Sequence, residues 1–166
     1  MSNIKKFRIK TFKTNESVLS LNKIHLKYGR KIILDDFNLQ LNKGEILGLL
    51  GANGVGKTTI FNLIIGLISP NFGSIFMGSE KINTYPIFER TLKYKIGFVP
   101  QYGGFFHDLT VYENLKAISE ITIDNASLRE EKINLLISKF ELDPIRDIKS
   151  TFLSGGQKKK LVIALS

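Results

Sequence analysis

The stretch GANGVGKTT, Gly51 to Thr59, places the tightest limit on what this chain can fold into. Three glycines fall within six residues and are followed at once by a lysine and two threonines, so the pattern G-x-x-x-x-G-K-[ST] is met by Gly51, Gly56, Lys57 and Thr58. The motif needs a strand before it and a helix after it. ILGLL, Ile46 to Leu50, is apolar on both faces, the pattern of a strand buried in a parallel sheet. A helix is expected from about Gly56 to Gly66, with Pro70 as its stop. In that setting the glycines let successive backbone N–H groups converge on one anion, the helix adds its positive end, and the Lys57 ammonium meets the outer phosphates. The Thr58 hydroxyl can reach a Mg²⁺ held between the β and γ phosphates. Gly51, Ala52, Asn53, Gly54, Val55, Gly56, Lys57, Thr58 and Thr59 are therefore the candidate nucleotide-binding loop. A plain strand-to-helix turn needs one or two glycines and no Lys-Thr pair.

The surrounding pattern reads as α/β. VLSLNKIHLKYG and IILDDFNLQL alternate apolar and polar residues and predict antiparallel strands with one wet face. GSIFMG, Gly73 to Gly78, predicts a short strand, and Ile96 to Val99 a buried one ended by Pro100. VYENLKAISEI and SLREEKINLLISKFEL carry apolar residues at helical spacing, and a further helix opens at Ser154. That last helix meets no stop signal before Ser166, so the expectation is a domain continuing beyond it. Residues 1–17 read as a basic, loose leader, 18–166 as one nucleotide-binding domain, and 102–150 mainly as a helical subdomain.

Composition narrows the function classes. No apolar run approaches the roughly 20 residues of a membrane helix, and no cysteine is present for disulfide or thiol chemistry. A formal charge of +9 suits an anionic partner, but the basic residues are scattered and no aromatic-interleaved basic stripe exists, which argues against a nucleic-acid platform. His25 and His107, the only histidines, are isolated from other ligand types and make no metal site.

A phosphate loop occurs in many classes of protein, and a second motif separates them. LSGGQ, Leu153 to Gln157, places a helix-capping serine before two glycines, a second arrangement suited to an anion. With both motifs, the chain from Val18 onward resembles the nucleotide-binding domain of ATP-binding cassette (ABC) transporters. The resemblance implies a P-loop NTPase fold: a core with a parallel sheet, an N-terminal antiparallel β subdomain and a helical subdomain, here incomplete at the C-terminus. It implies that Tyr28 stacks on adenine and that Gln101, in FVPQ, contacts Mg²⁺ and the attacking water. Ser154, Gly155, Gly156 and Gln157 would bind the γ-phosphate of ATP held by a second copy, in a head-to-tail homodimer.

PQYGGFFHDLTVYENL, Pro100 to Leu115, is similar to the lipopolysaccharide-export branch of the family. In that branch Phe106, with Phe105, would line a groove for a coupling helix of transmembrane permease subunits, at the cytoplasmic face of the inner membrane. His107 and Asp108 replace the basic pair usual there, and Gln157 stands where that branch more often has glutamate. A branched-chain amino-acid importer ATPase and a soluble non-transport ABC ATPase are the alternatives. The family's water-polarising glutamate, its Mg²⁺-holding aspartate and its switch histidine have no match in these residues. The resemblance therefore implies an ATPase of which residues 1–166 supply binding and coupling parts but no catalytic residue.

Overall fold

Alternation and turn chemistry account for most of the elements in the computed structural model, which describes residues 4–10 and 16–166. The chain divides into two units, Met1–Ile96 and Gly97–Ser166. The first contains strands β1 (Lys5–Lys10), β2 (Ser17–Tyr28), β3 (Lys31–Asn42) and β4 (Glu45–Leu50), helix α1 (Lys57–Ile65), strands β5 (Phe72–Met77) and β6 (Glu80–Lys81), and helix α2 (Ile87–Tyr94). β2 and β3 form a long hairpin closed at Tyr28 and Lys31, and the sheet order is β3-β2-β5-β6, antiparallel throughout. The residues alternating inward, among them Leu21, Leu26, Leu34, Leu39 and Ile75, are buried against Ile60 and Leu63 of α1. Each such side chain contributes about 1.5–3 kcal/mol by leaving water.

Three expectations are corrected here. Within the expected leader, Lys5–Lys10 is a strand that pairs antiparallel with β4; the rest of 1–17 is described only at Ile4, Glu16 and Ser17. β4 itself lies in that two-stranded antiparallel sheet, and no parallel pair occurs among the described residues. Its Leu47 and Leu49 are partly buried against the core while Ile46 is 60% and Leu50 56% exposed, so one face is partly covered and the other is not. Ile96 to Val99 is not a strand: no strand among the described residues pairs with it, and an extended segment needs a neighbour's hydrogen bonds to become one. Helix α2, by contrast, has no counterpart in the sequence expectations.

α1 ends where a glycine allows it. Gly66 caps the helix at φ 86°, and its N–H donates to the Asn62 carbonyl. The chain therefore leaves the helix four residues before Pro70. The last carbonyls of α1 are met from outside by Arg90 of α2, whose side chain is 1% exposed. Its Nη1 donates to the carbonyls of Leu63 at 2.7 Å and Ile64 at 2.9 Å, its Nε to that of Tyr85 at 2.7 Å, and its Nη2 to that of Asn83 at 3.2 Å. Burial lowers the pKa of this guanidinium, yet a positive charge at the negative end of α1 is what the helix dipole favours. A Cβ on Gly66 would stand 2.8 Å from Arg90 Nε, so the glycine is required by contact as well as by φ.

The second unit is helical: α3 (Val111–Thr122), α4 (Ala126–Lys139) and α5 (Gly155–Leu165), with single 3-10 turns at Asp143–Ile145 and Ser150–Phe152. Thr110 caps α3 in a capping box with Glu113, and Asn125 caps α4. Val111, Leu115, Ile133, Ile137, Leu142, Leu153 and Leu161 form its core.

Arg90→Ala should lower the unfolding free energy by about 2–4 kcal/mol in urea denaturation, because four carbonyls, that of Leu63 buried and the others partly so, lose their donor. Arg90→Lys should recover only part of it, since an ammonium cannot reproduce the planar fork. A pH effect is expected at Glu80, whose carboxylate accepts from Lys93, Tyr85 and Tyr94. These donors, Lys93 foremost, hold its pKa down to about 2 from an ordinary 4.5. A depressed carboxyl stabilises the fold above its unfolded pKa, and the contribution is lost as pH falls from 4.5 towards 2. Thermal denaturation across that window should show a steeper loss in the natural chain than in Glu80→Gln.

Candidate functional site

The candidate residues fall on both units: Tyr28 and Gly51 to Thr59 on the first, Gln101, Phe105, Phe106 and Ser154 to Gln157 on the second. β4 delivers the chain to Gly51, and α1 begins at Lys57. Between them Gly54 and Gly56 take φ of 79° and 106°, which a side chain would resist, and at Gly56 a Cβ would press on Ile33 Cγ2 at 3.2 Å. Gly56 is the N-cap of α1. No side chain caps the helix, and its first turn carries no acidic residue. The start of α1 therefore presents N–H donors and a positive dipole end that no side chain satisfies. Lys57 Nζ folds back to donate to the carbonyls of Gly51 at 2.7 Å and Ala52 at 2.8 Å, spanning the loop from below. Thr58 follows with an exposed side chain. Such a loop holds an anion through backbone donors and one ammonium, with no acidic residue at the helix start to oppose it.

Tyr28 ends β2 at the hairpin tip, 54% exposed, as an aromatic free to take a flat ring. Gln101 is exposed, and its Nε2 lies 3.4 Å from the Tyr102 hydroxyl. The adjacent phenylalanines separate: Phe105 packs against the core of the second unit and tilts against the His107 ring at 4.7 Å, whereas Phe106 is 54% exposed.

Ser154 caps α5 in a capping box. Its Oγ accepts from the Gln157 N–H at 3.3 Å, and Gln157 Oε1 accepts from the Ser154 N–H at 2.8 Å. Gly155 and Gly156 lie in the first turn, exposed, with nothing within 4 Å of a Cβ on either. Gln157 thus closes the box without adding a charge, where glutamate would place a negative one at the same helix start.

The sequence reading missed one polar side chain beside these. Asn114 is fully buried in α3 and bonds the backbone of Phe106 and the Ser150 hydroxyl. A signal for it existed: with Val111, Leu115 and Ile118, position 114 falls on the apolar stripe of its helix, where an amide needs partners.

The fold and the loop together define a cassette-type nucleotide-binding domain. The ABC transporter family model matches residues 34–166, and the chain belongs to that family, as an ATP-binding domain. Among curated relatives it is 39% identical over 149 residues to the lipopolysaccharide export system ATP-binding protein LptB of Haemophilus influenzae, covering 89% of this chain and 61% of that protein. It is 38% identical over 137 residues to LptB of Escherichia coli K12, covering 82% and 56%, and 34% identical over 151 residues to a probable ABC transporter ATP-binding protein of Azorhizobium caulinodans, covering 91% and 53%. The chain thus spans some three fifths or less of the length of these relatives. Among solved structures, MJ1267, an ATP-binding cassette of an ABC transporter, superposes with a TM-score of 0.75 at 25% identity over 90% of this chain and 64% of that one. No helix among the described residues is long and apolar enough to cross a membrane.

The capping roles can be separated from any ligand role. Ser154→Ala should destabilise the chain by about 1 kcal/mol in urea denaturation through loss of the cap. Gly155→Ala should leave stability unchanged or raise it slightly, since the added methyl meets open space and alanine favours helix.

Proposed function

We infer that these residues bind Mg²⁺-ATP for the motor subunit of an exporter, and that the likeness to lipopolysaccharide export proteins extends to its cargo. The observation that carries the nucleotide reading is the start of α1, left without a side-chain cap or an acidic residue and spanned by Lys57. On this reading Gly51 to Gly56 cradle the phosphates, Lys57 exchanges its two loop carbonyls for phosphate oxygens, and Thr58 with Gln101 holds Mg²⁺. Tyr28 stacks on adenine. Ser154, Gly155, Gly156 and Gln157 face the γ-phosphate in a second copy, so two chains head to tail close two nucleotides. Phe106 is offered to the coupling helix of a transmembrane permease subunit, which would hold the protein at the cytoplasmic face of the inner membrane. Phe105, packed inward, supports that turn rather than touching the partner. The export reading is supported by the curated relatives at 38–39% identity. Hydrolysis is proposed as the activity of the whole protein, and binding and coupling as the part these residues play.

Titration with a fluorescent ATP analogue and Mg²⁺ should give saturable binding that ATP displaces. Lys57→Ala should weaken it roughly 10- to 100-fold, the worth of a charged hydrogen bond. In cells, Phe106→Ala should shift the protein from the membrane fraction to the soluble one without changing its nucleotide affinity. Equal nucleotide affinity in Lys57→Ala would overturn the loop assignment, an unchanged membrane fraction in Phe106→Ala would overturn Phe106 as the partner contact, and absence of the natural chain from the membrane fraction would favour a soluble cassette protein.

A further inference from the structure

An asparagine in the apolar stripe of a helix is costly unless every polar atom on it is met. Asn114 is wholly buried, and its partners lie at Phe106, Leu109, Thr110 and Ser150. Its Oδ1 accepts the Phe106 N–H at 2.7 Å, and its Nδ2 lies 3.0 Å from the Phe106 carbonyl, so one amide grips both sides of one residue. The same Nδ2 is 2.9 Å from the Thr110 carbonyl, 3.2 Å from that of Leu109 and 3.0 Å from the Ser150 hydroxyl. Its two hydrogens are thus shared among four acceptors. The Thr110 carbonyl, one turn back, can meet one of its hydrogens; the bonds to Phe106, which alone supplies a donor to Oδ1, and to Ser150 reach beyond the helix.

Ser150 is fully buried as well. Its N–H donates to the Leu109 carbonyl at 2.9 Å, Thr151 donates through both N–H and Oγ1 to the His107 carbonyl at 3.0 and 2.9 Å, and Thr110 pairs with Lys149 as an antiparallel bridge. The segments 106–110 and 149–151 are therefore laced together side by side. Ser150 also opens the turn Ser150–Phe152, from which the chain passes through Leu153 straight into the Ser154 cap of α5. One side chain, Asn114, and one hydroxyl, Ser150, lie between the exposed Phe106 and the helix start at Ser154.

We propose that Asn114 and Ser150 are positioning residues that make the turn bearing Phe106 and the entry to α5 a single mechanical body. A partner seated on Phe106 then sets where the N–H groups of Gly155 and Gly156 stand, and a nucleotide engaged at those groups sets the Phe106 turn. The second half follows from the first, because coupling between two sites is reciprocal. The proposal rests on the reading of Phe106 as a partner contact and of Ser154 to Gln157 as a nucleotide contact. A close-packed body transmits displacement where a loosely held loop absorbs it.

The chain contains no tryptophan, so Phe106→Trp installs a single Trp at one end, excited selectively over the five tyrosines. In that background Mg²⁺-ATP, at chain concentrations that allow pairing, should change the Trp emission. Adding Ser150→Ala, which removes one hydroxyl and leaves the nucleotide loop untouched, should cut that change to below about a third while ATP affinity stays within about twofold. Asn114→Asp, which keeps the acceptor for Phe106 and loses the donors, should do the same and serves as the second variant. A full emission change in both variants would overturn the proposal, as would no change in a Phe106→Trp chain that binds ATP. Amide hydrogen exchange without nucleotide gives an independent reading. Ser150→Ala should speed exchange about tenfold at Phe106 and at Ser154 together, and acceleration at Ser154 alone would overturn the proposal. A chain that fails to bind ATP overturns the proposed function instead, and the exchange result then decides this inference by itself.

Discussion

The fork of Arg90 over the last turn of α1 is the contact on which the first unit depends. A helix that begins an anion-binding loop cannot satisfy its own N-terminal donors without losing the anion, so stabilisation has to come from elsewhere. Here it comes from two places: the buried face, where Ile60 and Leu63 join the core, and the far end, where Arg90 and Gly66 satisfy the carbonyls. The result is a helix closed at its C-terminus and open at its N-terminus. Because the same guanidinium also bonds the carbonyls of Asn83 and Tyr85, the turn leading to α2 is held to the end of α1 by one side chain.

The two glycine-rich helix starts solve this problem differently. α1 has a left-handed glycine as its N-cap and no side-chain acceptor, so its first-turn donors and the Lys57 ammonium point the same way, toward an anion. α5 has a serine cap and a reciprocal glutamine, so one donor on each residue is already spent within the box. What α5 retains is the exposed pair Gly155 and Gly156, whose lack of side chains leaves their donors unobstructed. The first arrangement fits enclosure of an anion by the loop, and the second fits approach of an anion already held by another surface. That difference supports the proposal that the two motifs meet one nucleotide from opposite sides.

The parts legible in the sequence are those set by local rules. The strand-to-helix turn at Gly51 to Gly56, the β2–β3 hairpin, the strand at Phe72–Met77 and the cap at Ser154 follow from spacing, alternation and short-range hydrogen bonding. What escaped depends on residues far apart in the chain. The doubly apolar run at Ile46 to Leu50 reads as buried on both faces, but its pairing with Lys5–Lys10 is decided by which strand lies beside it. Arg90 looks like a surface charge on a short polar helix, and only its partners 26 and 27 residues earlier show that it is internal. Asn114 carried a hint in its position on an apolar stripe, yet its connection to Ser150 spans 36 residues.

The departures at His107 and Asp108 acquire a physical meaning from this network. If the turn after Phe106 acted through side chains, replacing a basic pair by a histidine and an aspartate would be expected to disturb it. On the turn itself the contacts to residues 149–151 use main-chain carbonyls: that of His107 takes the N–H and Oγ1 of Thr151, and that of Leu109 takes the Ser150 N–H. The His107 ring lies beside Phe105, centroids 4.7 Å apart and tilted by 57°. A turn held by its main chain can change its outward side chains without losing its attachment, so whatever meets residues 107 and 108 can differ in charge from one relative to another while the body beneath them stays the same.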